Sequence, residues 1–345
     1  MTPCHTTGMR CLAIAVVFAS TAAHADSSAT VTVTLNAAGQ QLADYLHLTV
    51  PELTQNAEDK FNALFQTQNL PGLLSAFART TAIADRGLGV NYAVIPGQIM
   101  IGAVANGALS TDASLGDADR VVGGFAFNFS VMAGANLGRW GAPRWTLFAN
   151  GFYETGSYRA LAGHLTSGGV HVQYRVLPGT TSGPARWLGL DVTSGIERAT
   201  WEVGAASDML PIKFKVNNPQ GDSENMTFNA IGTMDVVADA TTVPIEVTTG
   251  VRLGGVVAVY AGGGLDLTAA TGTITVALDG DIVLTSTQDS AGTAHVAASG
   301  SASPSPVSGH ALAGVQLDIP YAQIFVQGLL TPDAQGVAVG LRVAL

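Results

Sequence analysis

From residue 87 onward, apolar and polar residues alternate with a period of two. Phe125, Phe127, Phe129 and Val131 alternate with Ala126, Asn128 and Ser130, and Val170, Val172, Tyr174 and Val176 with His171, Gln173 and Arg175. Leu188, Leu190 and Val192 continue the pattern, and Val243, Ile245, Val247, Val251 and Leu253 stand against Glu246, Thr248 and Arg252. At the end of the chain, Val337, Val339, Leu341, Val343 and Leu345 share one face, with Ala338, Gly340, Arg342 and Ala344 opposite. Such alternation predicts strands with one apolar face. Turn signals separate the runs: Pro96-Gly97, Gly141-Ala142-Pro143, Pro178-Gly179, Asn218-Pro219, Gly254-Gly255, Asp279-Gly280 and Thr331-Pro332-Asp333. The longest or most polar connections fall at 106–119, 204–210 and 299–308. The result is about 12 to 16 strands of about 8 to 13 residues, the length a tilted strand needs to cross a bilayer. No fixed repeat of about 20 to 50 residues is evident, which argues against a propeller or solenoid.

The chain before residue 87 follows another period. Thr49 and Glu52 have capping-box spacing, and Leu53, Ala57, Phe61, Leu64 and Phe65 then recur on one helical face, with Thr54, Glu58, Asp59 and Asn62 on the other. A second helix is predicted over 71–84, with Pro71 at its start, Leu73, Leu74 and Phe77 on one side and Gly87 just past its end. The stretch TVTVTL at 30–35 alternates like a strand. The first 25 residues read as a secretory signal: Arg10, the apolar run LAIAVVFAS, then Ala23-His24-Ala25 before a mature start at Asp26. Met9 is an alternative start. Cys4 and Cys11 both fall in this leader, so the mature chain is expected to lack disulfides, thiolate metal sites and a cysteine nucleophile. The expected organisation is a signal peptide at 1–25, a segment with two short helices at 26–86 serving as plug or periplasmic cap, and a transmembrane β-barrel at 87–345.

Composition decides between a soluble sandwich and a barrel. Only 12% of the 345 residues are charged, against about 25% in ordinary globular domains, and mean hydropathy is +0.32. No mature stretch reaches the ~18 apolar residues of a helical span; the nearest, 253–267, is broken by glycines and Asp266. A sandwich wets its outer face with charge, particularly lysine, yet the lysines here are Lys60, Lys213 and Lys215 alone. The non-apolar strand positions are mostly Thr, Ser, Gln, Asn, Ala and Gly, which suits a lumen. Trp140, Trp145, Tyr153, Tyr158, Trp187, Trp201 and Tyr321 fall near strand ends, where interfacial girdles place aromatic rings. The expected fold is all-β, a closed antiparallel transmembrane barrel with a short helical N-terminal segment. Closure is required because hydrocarbon tolerates no open edge, and it implies an even strand number, near 14. A net charge of −10 without a basic stripe excludes nucleic-acid binding.

With its signal, its Gly-rich alternating hairpins and its final strand VAVGLRVAL, the chain resembles bacterial outer-membrane β-barrel proteins over about 260 residues. That class usually ends on an aromatic residue read by the assembly machinery; Leu345 stands in that place. The helical segment resembles the N-terminal hatch of long-chain fatty acid transporters. Over 76–108, AFARTTAIADRG followed by IMIGAVANGA resembles spirochaetal surface proteins described as adhesins. The resemblance implies outer-membrane localisation, with the lipid bilayer and the outer-membrane assembly machinery, engaged through the C-terminal strand, as partners.

Chemistry-bearing residues are sparse. His47, His164, His171, His295 and His310 show no metal-ligand spacing, and no G-x-S-x-G elbow is present, so neither catalysis nor a cofactor is expected. Asp112, Asp117 and Asp119, and Asp279, Asp281 and Asp289, read as solvated acidic loops in preference to calcium sites. The polar strand faces carry the pore-lining candidates His171, Arg175, Glu246, Arg252 and Arg342, which either set selectivity or brace the wall. Leu53, Phe61, Leu64, Phe65 and Phe77 are the plug-face candidates. The expected function is a passive pore or transporter for small or hydrophobic solutes. The alternatives are a surface-exposed adhesin or structural barrel, and a secreted soluble β-protein.

Overall fold

The computed structural model describes residues 25–67, 70–86, 98–111, 124–180, 182–208, 211–217 and 223–344. A strand, β1 (Ala25–Leu35), is followed by three helices, α1 (Ala37–Tyr45), α2 (Val50–Thr67) and α3 (Leu70–Ala84). Next come β2 (Ile99–Ser110), β3 (Phe125–Asn136), β4 (Trp145–Tyr158), β5 (Leu161–Pro178) and β6 (Ala185–Asp208). Then follow β7 (Ile212–Asn217), β8 (Ser223–Leu253), β9 (Val257–Leu284) and β10 (Ser290–Ala302). The last three are β11 (Val307–Ile319), β12 (Ala322–Leu330) and β13 (Ala334–Ala344).

Each described pairing is antiparallel. The order β9-β11-β12-β13-β2-β3-β4-β5-β6-β8 returns to β9 through the β8–β9 pairing, so ten strands close a ring. The even number holds, at ten in place of fourteen, because β1, β7 and β10 stand outside the ring and β8 and β9, with 31 and 28 residues, each run through two regions. Beyond the ring, the first half of β8 and the second half of β9 continue into a five-stranded extension ordered β1-β10-β9-β8-β7. The stretch TVTVTL is the outer strand of that extension, and residue 87 is no boundary within the sheet: β1 pairs with β10 along its whole length.

Alternation settles which face is which. Val131, Val170, Ile196, Val259, Val315, Val326, Val337 and Val339 point outward and are exposed, whereas their neighbours Ser130, His171, Glu197, Tyr260, Gln316, Gln327 and Ala338 point inward and are buried. The apolar rows therefore form a belt on the outside and do not pack against each other, which removes the soluble reading. Trp140, Trp145, Trp187 and Tyr321 are exposed at the end of the ring opposite the extension, where rings of mixed character favour the headgroup level.

Local signals explain most elements. The capping box forms as its spacing predicts: the Thr49 amide and hydroxyl donate to Glu52 Oε2 at 2.7 and 2.8 Å. Those two donors hold the Glu52 carboxyl below its ordinary range. Gly254 and Gly255, at φ of +57° and +78°, make the tight β8–β9 turn. Asp279-Gly280 makes no turn; both residues lie inside β9, paired to β8 and β10. The connection expected at 299–308 shrinks to four residues, because β10 runs to Ala302 and β11 starts at Val307. The Asp112, Asp117 and Asp119 cluster and the Pro96-Gly97 and Asn218-Pro219 turns lie, wholly or in part, outside the described residues.

Candidate functional site

The three helices do different work. α1 and α2 sit on the extension, where Leu46, Leu53, Val216, Met226, Phe228, Ile282 and Val296 share one apolar core. α3 crosses the mouth of the ring. Ala78 and Ala82 pack on Ala240 of β8 and Ala270 of β9, while Ile83 and Ala84 pack on Ala108, Ala126, Leu329 and Ala334 of the opposite wall. The fit is close because the wall is glycine at two contact points: a Cβ at Gly272 would overlap the Leu74 carbonyl, and one at Gly124 the Ala76 carbonyl. Within 26–86, α1 and α2 thus lie on the extension as a cover, and α3, called the plug below, lies across the mouth of the ring.

The plug is fastened by two arginines. Arg79 Nε meets Asp333 Oδ2 at 3.0 Å, and its terminal nitrogens donate to Ser308 Oγ at 3.1 Å and the Ser305 carbonyl at 2.8 Å. Arg86, just past the end of α3, reaches deeper and is 4% exposed. It pairs with Glu197 of β6 at 3.3 Å and with Glu246 of β8 and Asp266 of β9. His310 of β11 bridges the last two, with Nδ1 2.9 Å from Asp266 and Nε2 3.3 Å from Glu246. One guanidinium of the plug is therefore held by carboxylates from three different wall strands, a geometry its planar donor fork suits.

Beside it, Asp85 Oδ1 accepts from Asn128 Nδ2 at 2.9 Å and from Asn150 Nδ2 at 3.5 Å, and Ser167 Oγ donates to Asn128 Oδ1 at 3.0 Å. Burial outweighs these donors and the nearby Arg86 charge, and pushes the Asp85 carboxyl up to about 7.

The pore-lining candidates all face inward, but each is engaged. His171 stacks on Phe148 with ring centroids 4.9 Å apart and lies 3.7 Å from Glu197. Arg175 makes a two-pronged pair with Asp191 at 3.0 and 3.1 Å. Glu246 belongs to the Arg86 cluster, Arg252 pairs with Asp318 at 2.8 Å, and the Arg342 guanidinium lies 4.5 Å above the Phe325 ring. Glu246 pairs with Arg86 and His171 lies against Glu197, so these two candidates meet the plug lock; Arg175, Arg252 and Arg342 make their contacts elsewhere on the wall.

Among the plug-face candidates, Leu53 is buried under the cap and Phe77 lies on α3 with its ring centroid 6.1 Å from that of Trp201. The side chains of Phe61, Leu64 and Phe65 lie outside the described residues. Residues that the alternation alone did not single out, Arg79, Asp85, Arg86, Glu197, Asp266 and His310, form the lock. Three of them stand in the stretch ARTTAIADRG, and Asp266 is the charge that interrupts the glycine-rich run at 253–267.

Phe77 also marks a seam in the wall. β3 and β4 pair only from Val131–Gly151 to Asn136–Thr146, although β3 begins at Phe125 and β4 continues to Tyr158. Above that point the two strands part. Phe127 stands 4.6 Å from Trp201, Phe129 6.0 Å from Phe152, and Trp201 Nε1 donates to the Phe127 carbonyl at 3.1 Å. Aromatic rings thus line the place where backbone pairing stops.

A sequence profile of the family described as Lsa36-like matches residues 26–345. No curated protein sequence matches the chain. Among solved structures, it is similar to the outer membrane protease OmpT from Escherichia coli, at 8% identity and TM-score 0.36 over 75% of this chain and 99% of that one. It is also similar to the translocator domain of autotransporter NalP from Neisseria meningitidis, at 11% identity and TM-score 0.28 over 83% and 96%. A third similarity is to the Ralstonia pickettii toluene transporter TbuX, at 8% identity and TM-score 0.26 over 80% and 99%. These likenesses concern general architecture; the membrane assignment rests on the closed ring and its outward apolar belt.

Proposed function

The chain belongs to the Lsa36-like family, and from its plugged outer-membrane barrel we propose a passive, gated transporter of small hydrophobic solutes, neither an open pore nor an enzyme. The observation that carries this reading is the β3–β4 seam. Backbone groups facing hydrocarbon need partners, so a wall that stops pairing at Val131 and Gly151 while both strands continue is costly unless the opening is used. The aromatic rings at the opening suit an apolar passenger, and Phe77 of the plug reaches the same cluster. A solute would pass between lipid and lumen there once α3 shifts. The wall carboxylates keep the plug seated by polar contacts, which water can replace, in contrast to a fully apolar seal.

The test uses vesicles carrying the mature protein and uptake of naphthalene. Continuing the β3–β4 register places Phe129 opposite Tyr153, and the mature chain has no cysteine of its own, so Phe129→Cys with Tyr153→Cys can be oxidised to zip the seam. Uptake above protein-free vesicles, lost on oxidation and restored on reduction, is the expected result. Uptake equal to protein-free vesicles refutes the reading.

A second reading, a surface adhesin, is favoured by the extension. Turns of two or three residues stand at both ends of the ring, at 254–256 and 320–321 on one and at 159–160 and 331–333 on the other, so this reading takes its orientation from the extension, the largest feature at either end. The five-stranded sheet with its cap then faces outward. Binding of a host matrix protein that is lost when 209–222 is shortened would support it.

A further inference from the structure

Between α2 and the concave face of the extension lies a cavity of about 490 Å³, within the range of about 300 to 1,000 Å³ that small-molecule pockets occupy. Its walls are apolar: Val31 from β1, Leu53 from α2, Met226 and Phe228 from β8, and Ile282 from β9. The polar residues among its lining are Lys60, Lys213 and Lys215. These are all the lysines in the chain. In a protein of net charge −10, all three lysines border one apolar cavity while the rest of the surface has none: Lys60 stands on α2, and Lys213 and Lys215, which alternate with the core residues Ile212 and Val216, leave the edge strand β7 on its outer face and meet the cavity at that edge.

We propose that this cavity binds a single-chain amphiphile with an anionic head group, the alkyl chain inside and the head among the three lysines. The apolar walls account for the chain, because removing it from water is the driving force. The lysines account for the head, because compact ammonium groups on flexible stems meet an anion at the edge of an apolar surface without being buried themselves. The volume accommodates one chain of about a dozen carbons and not the two chains of a bilayer phospholipid. This inference goes beyond the transport reading, since it concerns binding at equilibrium in the cap and holds whether or not any solute crosses the ring.

The experiment uses the full mature chain in phosphatidylcholine nanodiscs, with 11-(dansylamino)undecanoate as the fluorescent probe and displacement by laurate, dodecyl phosphate, dodecanol and dodecyltrimethylammonium. Saturable one-to-one binding of the probe, displaced by laurate or dodecyl phosphate at least about tenfold better than by the neutral and cationic analogues, is expected. The stronger of the two anions identifies the head group as carboxylate or phosphate. Replacing Lys60, Lys213 and Lys215 together by Gln should weaken laurate about tenfold or more and leave dodecanol unchanged, while the all-Arg version restores laurate. Ala294→Phe, which fills the cavity from β10, should abolish binding of every analogue. Heat-modifiable migration verifies that each variant is folded. Non-saturable binding, equal displacement by laurate and dodecanol, or full laurate affinity in the folded all-Gln variant overturns the proposal.

Discussion

Replacing Arg86 with alanine is the most direct perturbation of the plug. In the intact protein its guanidinium is 4% exposed and faces Glu197, Glu246 and Asp266. Removing one partner of a buried ion pair costs about 3–5 kcal/mol, because it strands an uncompensated charge. Here three carboxylates lose the same cation; His310 stays between Glu246 and Asp266 and offsets part of the loss. Taking the lower end, about 3 kcal/mol corresponds to roughly a hundredfold shift in the plug equilibrium, and the upper end to more than a thousandfold. The carboxylates are relieved only when α3 leaves and water enters, so the shift favours the open form. Single-channel recording in a planar bilayer reads it directly: rare openings in the unmodified protein and sustained conductance in Arg86→Ala. Arg86→Lys should fall between them, since a point charge cannot serve three acceptors as a planar fork does. An Arg86→Ala protein that keeps its heat-modifiable migration and opens no more often than the unmodified one refutes the argument that this cluster seats the plug.

Three further outcomes follow from the same geometry. Asp85, on the plug and not on the wall, has its carboxyl raised to about 7 when seated against about 3.9 in water, so the seated plug binds the proton more tightly than the released one. Seating is therefore strongest at low pH, weakens as pH rises from about 4 to about 7 by on the order of 2–4 kcal/mol, and channel openings should increase over that window; Asp85→Asn should flatten the profile, and an unchanged profile in that variant contradicts the assignment. At Gly272 a side chain would collide with the Leu74 carbonyl, so Gly272→Val should raise conductance, whereas Gly309→Ala, whose Cβ would meet nothing nearer than 3.9 Å, should behave as the unmodified protein; equal effects would mean that α3 does not depend on that contact. Val339, half exposed at the middle of β13, belongs to the lipid belt, and Val339→Arg should lower folding stability in vesicles by about 2–4 kcal/mol, measured by denaturant titration; a loss within about 0.5 kcal/mol would place that face in water.

The period-two pattern carried the barrel because lipid and lumen impose opposite demands on successive residues, and that demand is local. Phe125 to Val131 declares its two faces without reference to any other strand, and the shortage of lysine says which face meets lipid. Ring size is not local. β8 looks like two strands in sequence because Gly232 and Pro244 interrupt its pattern, yet its pairing with β9 runs unbroken from Met226 to Leu253, and Asp279-Gly280 has turn chemistry but is held straight by two neighbours already in register. The lock was hidden for a related reason. Arg86, Glu197, Asp266 and His310 are separated by up to 224 positions, and no spacing rule joins charges that meet only because a helix crosses a closed ring. Each still had a local mark: a charge on the lumen face of a chain that carries few charges must be matched there, and Arg86 is a cation at the end of a helix that enters the lumen. Counting inward-facing charges strand by strand among the described residues gives Glu197, Glu246 and Asp266 as neighbouring acids with too few wall cations beside them, a deficit that a plug arginine fills.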